Sequence, residues 1–304
     1  MTDYVIQTDG LTKRYGSISA VDNLSIQVRR GHVYGLLGPN GSGKTTTMGL
    51  LLGLLKPTSG TFSLFGESDN LEASLLRIGA VIETPSFYPY LSGRQNLAYY
   101  QGISRRGAPD EIDSLLDQVG LADRADSRFH TYSMGMKQRL GLAYSLLGNP
   151  ELVFLDEPTN GLDPEGMIEV RELIRNLGDG NRTVLLSSHL LHEVEQVCDS
   201  VTILSKGKLI AQGSVAELLH SVGREQVRMK TTDNVKARTV LAAFEWVEEV
   251  TADKDSLIVS APLERTAELT AALSREEVYV VETAPIQISL EDYFLQVTGE
   301  NNGT

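Results

Sequence analysis

The chain has 304 residues, 41% of them hydrophobic and 22% charged, which suits a globular protein with room for one large domain or a medium and a small one. Its net charge of -13 argues against nonspecific nucleic-acid binding, and Cys198, the only cysteine, leaves no disulfide framework and no cysteine metal cluster. No apolar run approaches the ~18 residues of a membrane-spanning helix.

The start, Met1-Thr2-Asp3-Tyr4, has neither the basic nor the apolar region of a signal peptide, so a cytoplasmic protein is expected. Residues 4–8 and 24–28 alternate apolar and polar side chains, as half-buried strands do. Lys13-Arg14-Tyr15-Gly16 lies between them. The run Val33-Tyr34-Gly35-Leu36-Leu37 predicts a buried strand, and residues 46–52 predict a helix. Between the two stands Gly38-Pro39-Asn40-Gly41-Ser42-Gly43-Lys44-Thr45, the phosphate-binding pattern G-x-x-x-x-G-K-T in its expected strand-loop-helix setting. Gly38, Gly41 and Gly43 can take backbone angles closed to other residues. With Asn40, Ser42 and Thr46 they would form a nest of N–H groups at a helix N-terminus for the phosphate oxygens of a nucleotide. Lys44 would reach the outer phosphates, and the Thr45 hydroxyl suits Mg2+.

Lys56-Pro57 ends that helix. A strand over 61–65, a helix over 72–77 and a strand over 78–82 follow, and Glu83 comes next. From Pro85 the pattern changes. Pro85, Phe87, Tyr88, Pro89 and Tyr90 make a loop, and residues 97–101 and 109–119 are amphipathic helix candidates. The region 85–150 therefore reads as a helical insertion in an α/β core. Leu152-Val153-Phe154-Leu155 is a buried strand that delivers Asp156 and Glu157 at its carboxyl end, where open α/β sheets bind ligands. Asp156 can reach the Mg2+ held by Thr45, and Glu157 can polarise a water for attack on the γ-phosphate.

Residues 164–177 read as a helix with proline in its first turn, 184–186 as a strand and 192–198 as a helix. Residues 201–204 and 208–211 flank the hairpin turn Ser205-Lys206-Gly207. A boundary is expected at about Ser221-Val222-Gly223, which divides the chain into 1–220 and 221–304. The second part has strand candidates at 226–229, 247–250, 256–259 and 278–281 and helix candidates at 235–244, 263–273 and 290–297. The predicted turn is 252–255. That order suggests a small α+β domain with helices on one face of a sheet and no chemical constellation of its own.

One more segment names a family. Tyr132-Ser133-Met134-Gly135-Met136-Lys137-Gln138-Arg139, followed by a helix over 140–147, resembles the signature of ATP-binding-cassette (ABC) ATPases, usually L-S-G-G-Q with a K-Q-R-like run after it. Placed before Asp156-Glu157, it extends the resemblance over residues 4–219. The chain departs from the signature at Tyr132, Met134 and Met136.

The resemblance implies a P-loop NTPase fold, ATP as substrate and Mg2+ as cofactor. It implies that Ser133, Gly135 and Met136 meet the terminal phosphate of an ATP held by a second subunit. Tyr15 would stack on adenine, Gly161, Leu162 and Asp163 would touch the partner subunit, and His189 would contact the γ-phosphate. Where the family carries Gln, this chain carries Glu83, which can only accept hydrogen bonds when ionised. Its position makes it a residue beside the metal, with an exposed loop carboxylate as the alternative.

One phosphate loop and one signature imply a homodimer with two composite sites. The family also implies a separate integral-membrane permease, with this chain peripheral to the membrane. Phe87-Tyr88-Pro89-Tyr90 either docks that permease or packs within the insertion. Glu83-Thr84-Pro85, the signature and the tail Ser289-Leu290-Glu291-Asp292-Tyr293-Phe294 look most like ATPases of bacitracin- and lantibiotic-type exporters. The expected function is therefore ATP-driven efflux of a drug, antibiotic or peptide. The competing reading, an ABC ATPase acting on ribosomes or nucleic acid, is disfavoured by the single cassette and the acidic charge.

Overall fold

The computed structural model describes residues 3–83, 86–108, 110–178, 182–222, 225–286 and 289–298. Thr84, Pro85, Pro109 and Gly223 carry parts of the expected subgroup motif, aromatic loop, helix start and boundary, and they lie outside the described residues. The chain divides into two compact units, Met1–Val215 and Ala216–Thr304.

The first unit opens with β1 (Tyr4–Tyr15), β2 (Ile18–Leu24) and β3 (Gln27–Arg29). The single strand expected over 24–28 is in fact split. β2 pairs with the second half of β1 and β3 with the first half, in registers Tyr15↔Ile18 and Gln7↔Gln27. Asn23, at φ 54°, lies at a register shift in the first pairing, just before its last pair, Leu11↔Leu24. At the break Thr8 Oγ1 donates to Leu24 O (2.8 Å) and accepts from Ile26 N (2.9 Å), so the backbone groups freed there stay bonded.

β4 (Val33–Leu37), α1 (Lys44–Leu51), β5 (Ser59–Leu64), α2 (Leu71–Leu75) and β6 (Ile78–Val81) follow. β5 joins the first sheet through β1. The insertion contains α3 (Gly93–Ser104), α4 (Glu111–Gln118) and α5 (Met134–Ser145). α3 begins before the expected residue 97 because Ser92 and Gln95 form a reciprocal capping box. α5 begins six residues before the expected 140, with Ser133 as its N-cap.

The core then resumes with β7 (Leu152–Asp156), α6 (Pro164–Leu177), β8 (Thr183–Ser188), α7 (Leu191–Glu195), β9 (Ser200–Ser205) and β10 (Lys208–Ser214). The second sheet has the order β10-β9-β4-β8-β7-β6, parallel except for β10. Every residue of β4, β7 and β8 is buried, which explains their unbroken apolar runs. α1 lies between the two sheets. Its Met48, Leu50 and Leu51 share one core with Ile6 and Leu11 on one side and Phe154 and Leu185 on the other. A helix covered from both sides has no polar stripe, so its sequence shows no helical periodicity. Cys198 is buried beneath Gly35 as a small apolar filler, and burial pushes its thiol well above the usual range.

The second unit begins within α8 (Val215–Val222) and continues with β11 (Gln226–Thr231), α9 (Asn234–Leu241), β12 (Glu249–Asp253), β13 (Ser256–Ser260), α10 (Thr266–Arg275), β14 (Val280–Ile286) and α11 (Leu290–Thr298). The antiparallel order β12-β13-β11-β14 makes β11 to β14 a split βαβ arrangement. Val227, Met229, Leu257 and Val259 of the sheet meet Ala237 and Leu241 of α9 and Leu269 and Leu273 of α10 in a core of their own. Ala252 and Asp253, expected in the turn, belong to β12, and Lys254 turns the chain at φ 52°.

Candidate functional site

The site is built at the carboxyl ends of three adjacent strands, β4, β8 and β7. Beyond β4 the phosphate loop turns on two glycines that no other residue could replace without movement. Gly38 has φ 147°, and a Cβ there would stand 2.2 Å from Leu204 O. Gly43, the N-cap of α1, has φ 106°, and a Cβ there would stand 2.4 Å from Ala20 O. The loop is also braced from behind. Gly207 N donates to Ser42 O (3.0 Å), and Asp22 N donates to Gly207 O (2.8 Å). The turn Ser205-Lys206-Gly207 thus ties the loop to β2, a link that the sequence did not announce. The first N–H groups of α1 have no acceptor within the helix and are free for an anion. Asn40, Gly41 and Thr45 are exposed there, and Thr46 is half-buried.

Lys44 Nζ donates to Gly38 O at 2.8 Å and lies 3.3 Å from Glu157 Oε1. Thr45 Oγ1 donates to Asp156 Oδ2 at 3.0 Å. Asp156 ends β7 beside Ser187 of β8, and Ser187 Oγ donates to Asp156 Oδ1 at 2.5 Å while accepting from Glu157 N at 3.0 Å. Ser187 is a residue that sequence reasoning passed over. Its only signal was a small hydroxyl at the end of an apolar strand. Glu157 itself sits at φ 49°, the left-handed region, which costs a residue with a side chain about 1 kcal/mol and is kept where the surroundings fix it. Its Oε2 lies 2.8 Å from His189 Nδ1. The sequence therefore foretold the residues that meet here, Lys44, Thr45, Asp156, Glu157 and His189.

The fit to a divalent cation follows from the donor set. Thr45 and Asp156 present adjacent hard oxygens, which suit a magnesium ion that keeps waters and substrate oxygens as its other ligands. Glu83 stands two residues past β6, exposed and at φ 61°. β6 runs beside β7, with Val81 opposite Leu155.

The other expected site residues lie on other elements. Ser133 caps α5 by accepting from Met136 N at 3.2 Å, with Gly135 in the first turn. Tyr132, where the family has Leu, is buried and donates to Arg124 O at 2.7 Å, so it serves the insertion's own packing. Met134 is exposed. Tyr15 is half-exposed at the end of β1 with Lys13 Nζ 5.0 Å from its ring centroid. Gly161, at φ 76°, leads into buried Leu162 and Asp163, which caps α6 by accepting from Gly166 N at 3.2 Å.

Comparison with known proteins gives the family. The family described as ABC transporter matches residues 21–160. The bacitracin transport ATP-binding protein BcrA of Bacillus licheniformis is 41% identical over 97% of this chain and 97% of its own length. The daunorubicin resistance ATP-binding protein DrrA3 of Streptomyces coeruleorubidus is 36% identical over 99% of this chain and 98% of its own. Among solved structures, CbiO1 of Clostridium perfringens, part of an ABC transporter complex, has a TM-score of 0.66 and 26% identity, covering 80% of this chain and 96% of that one. An ATP-binding cassette in its ADP conformation, 23% identical, gives the same TM-score of 0.66 over 73% of this chain and 96% of that one, and shows the shared fold. No helix among the described residues is long and apolar enough to cross a membrane. The chain belongs to the ATP-binding proteins of ABC transporters and is an ATPase.

Proposed function

We propose that this chain powers export of an antibiotic or related drug through a separate membrane permease, hydrolysing ATP at the interface of a homodimer. The observation that carries the chemistry is the chain of contacts Lys44–Glu157–His189 beside the pair Thr45–Asp156. The nest of N–H groups from Gly38 to Thr46 cradles the phosphates, and Lys44 neutralises the outer ones. As phosphate oxygens take over Lys44, Glu157 Oε1 is released to accept a proton from the attacking water. His189 keeps Nδ1 on Glu157 and presents Nε2 to the γ-phosphate. Thr45, Asp156 and, at the rim, Glu83 would hold Mg2+, which supplies charge neutralisation on the phosphate oxygens.

Tyr15 stacks on the adenine. Ser133, Gly135 and Met136 of one subunit close over ATP bound to the other, and the loop Gly161-Leu162-Asp163 lies against the partner. One cassette per chain favours this two-fold arrangement. The unit Met1–Val215, five residues shorter than the sequence alone suggested, forms the catalytic domain and Ala216–Thr304 an accessory domain. The 41% identity to a bacitracin transport ATP-binding protein along nearly the whole chain supports the exporter reading and a cytoplasmic position at the membrane. The test is Glu157→Gln with ATP and Mg2+. Loss of turnover together with an ATP-dependent dimer supports the reading. Wild-type turnover, or a monomer that binds ATP, refutes it.

A further inference from the structure

Behind the site lies an ion pair that the mechanism does not use. Arg171 of α6 and Glu193 of α7 meet at 3.0 Å, Nη1 to Oε1, with side chains only 17% and 14% exposed. Glu193 Oε2 is buried without a hydrogen-bond partner among the described residues. The pair borders the same small cavity as Pro158 and Thr159, which follow Glu157, and Ser188, which precedes His189.

α7 needs an anchor. It has only five residues, and Leu190 at its N-cap offers no side-chain cap. It holds to the sheet through Val194, which presses on Gly35 of β4 so closely that a Cβ on Gly35 would stand 2.7 Å from it. That contact fixes the helix against sliding away from the sheet, while the ion pair to α6 fixes it sideways. A second link from α6, Glu169 to Arg139 of α5, spans 3.7 Å with Glu169 48% exposed, so it is the weaker of the two.

We propose that Arg171 and Glu193 are positioning residues for His189. By holding α7 against α6 they set the imidazole at hydrogen-bond distance from Glu157. This rests on the assignment of His189 to the γ-phosphate. Burying a charge pair with one carboxylate oxygen unsatisfied is a poor way to gain stability. Replacing both partners by apolar residues of similar volume is often neutral or stabilising, whereas removing one alone is strongly destabilising. A role in positioning and a role in stability can therefore be separated.

The test compares the full chain with the double variant Arg171→Met/Glu193→Leu and the conservative variant Arg171→Lys. The double variant should keep the wild-type Tm or exceed it. Its kcat for ATP should fall tenfold or more, the scale of misplacing a catalytic group by about an ångström, with KM for ATP within about twofold because the phosphate loop is untouched. Arg171→Lys, which keeps the charge, should restore most of kcat. Hydrogen exchange at amides 190–195 should quicken in the double variant. Unchanged exchange at amides 190–195 in a stably folded double variant, whatever its kcat, would overturn the proposal. Faster exchange with unchanged turnover would instead count against the role given to His189.

Discussion

Lys44 Nζ lies 3.3 Å from Glu157 Oε1, so the ammonium proposed to meet the outer phosphates is already paired with the carboxylate proposed to activate water. Nucleotide must compete with that carboxylate. Glu157→Gln removes the competitor as well as the base. ADP, which has no γ-phosphate to hydrolyse, is expected to bind the variant about fivefold more tightly, from about 1 kcal/mol for a partly screened pair. Titration calorimetry with ADP measures this. Equal or weaker binding would show that the pair does not hold Lys44 back.

Glu83 occupies the position where the family has glutamine. It is exposed at φ 61°, just beyond the strand beside Asp156. If it stands beside the metal, Glu83→Ala should raise the Mg2+ concentration for half-maximal ATPase activity roughly threefold, the modest effect of an exposed carboxylate. An unchanged magnesium titration would leave it as an ordinary surface residue.

The aromatic loop divides into two roles. Phe87 is buried, with ring centroids 5.8 Å from Tyr100, 5.2 Å from Phe129 and 6.1 Å from Tyr144. Tyr90 is 78% exposed and Tyr88 46%. Phe87→Ala should cost about 3 kcal/mol of stability. Tyr88→Ala/Tyr90→Ala should leave the melting transition within about 1 kcal/mol of wild type while reducing co-purification with the permease. Retained co-purification would remove the exposed pair from the docking surface.

What the sequence made legible was local. The phosphate loop, Asp156-Glu157 and His189 each stand at the end of an apolar run, and strand ends are where such sheets bind, so their convergence could be foreseen. What remained hidden depends on strand order and register. Ser187 reaches Asp156 only because β8 lies beside β7, and Gly207 braces the phosphate loop only because β9 lies beside β4. Residues some thirty or more than a hundred positions apart leave no pattern in one sequence. The split of residues 24–28 has the same cause, since the two halves answer to different stretches of β1. The start of α3 is also written locally, because Ser92 and Gln95 stand at capping-box spacing.

At the opposite end of β7 from Asp156, one carboxylate holds three parts of the catalytic unit together. Glu151 accepts from Arg77 Nε and Nη2 at 2.6 and 2.8 Å and from Arg30 Nη1 at 2.7 Å. The Arg77 guanidinium lies 3.8 Å from the Phe65 ring centroid. The hydrogen bonds from Arg77, helped by Arg30, hold the Glu151 carboxyl at about 2 against an ordinary 4.5. A carboxyl depressed in the folded state adds stability that is complete above its unfolded value and is lost as pH falls toward its folded one. The contribution should therefore be whole at neutral pH and fade between about 4.5 and about 2. Since the carboxylate is 40% exposed, screening limits it to about 1 kcal/mol. Glu151→Gln is expected to lower Tm near neutral pH, with the gap to wild type closing as the solution is acidified. A gap that persists unchanged at the acid end would mean that Glu151 acts through its shape in the packing and not through its charge.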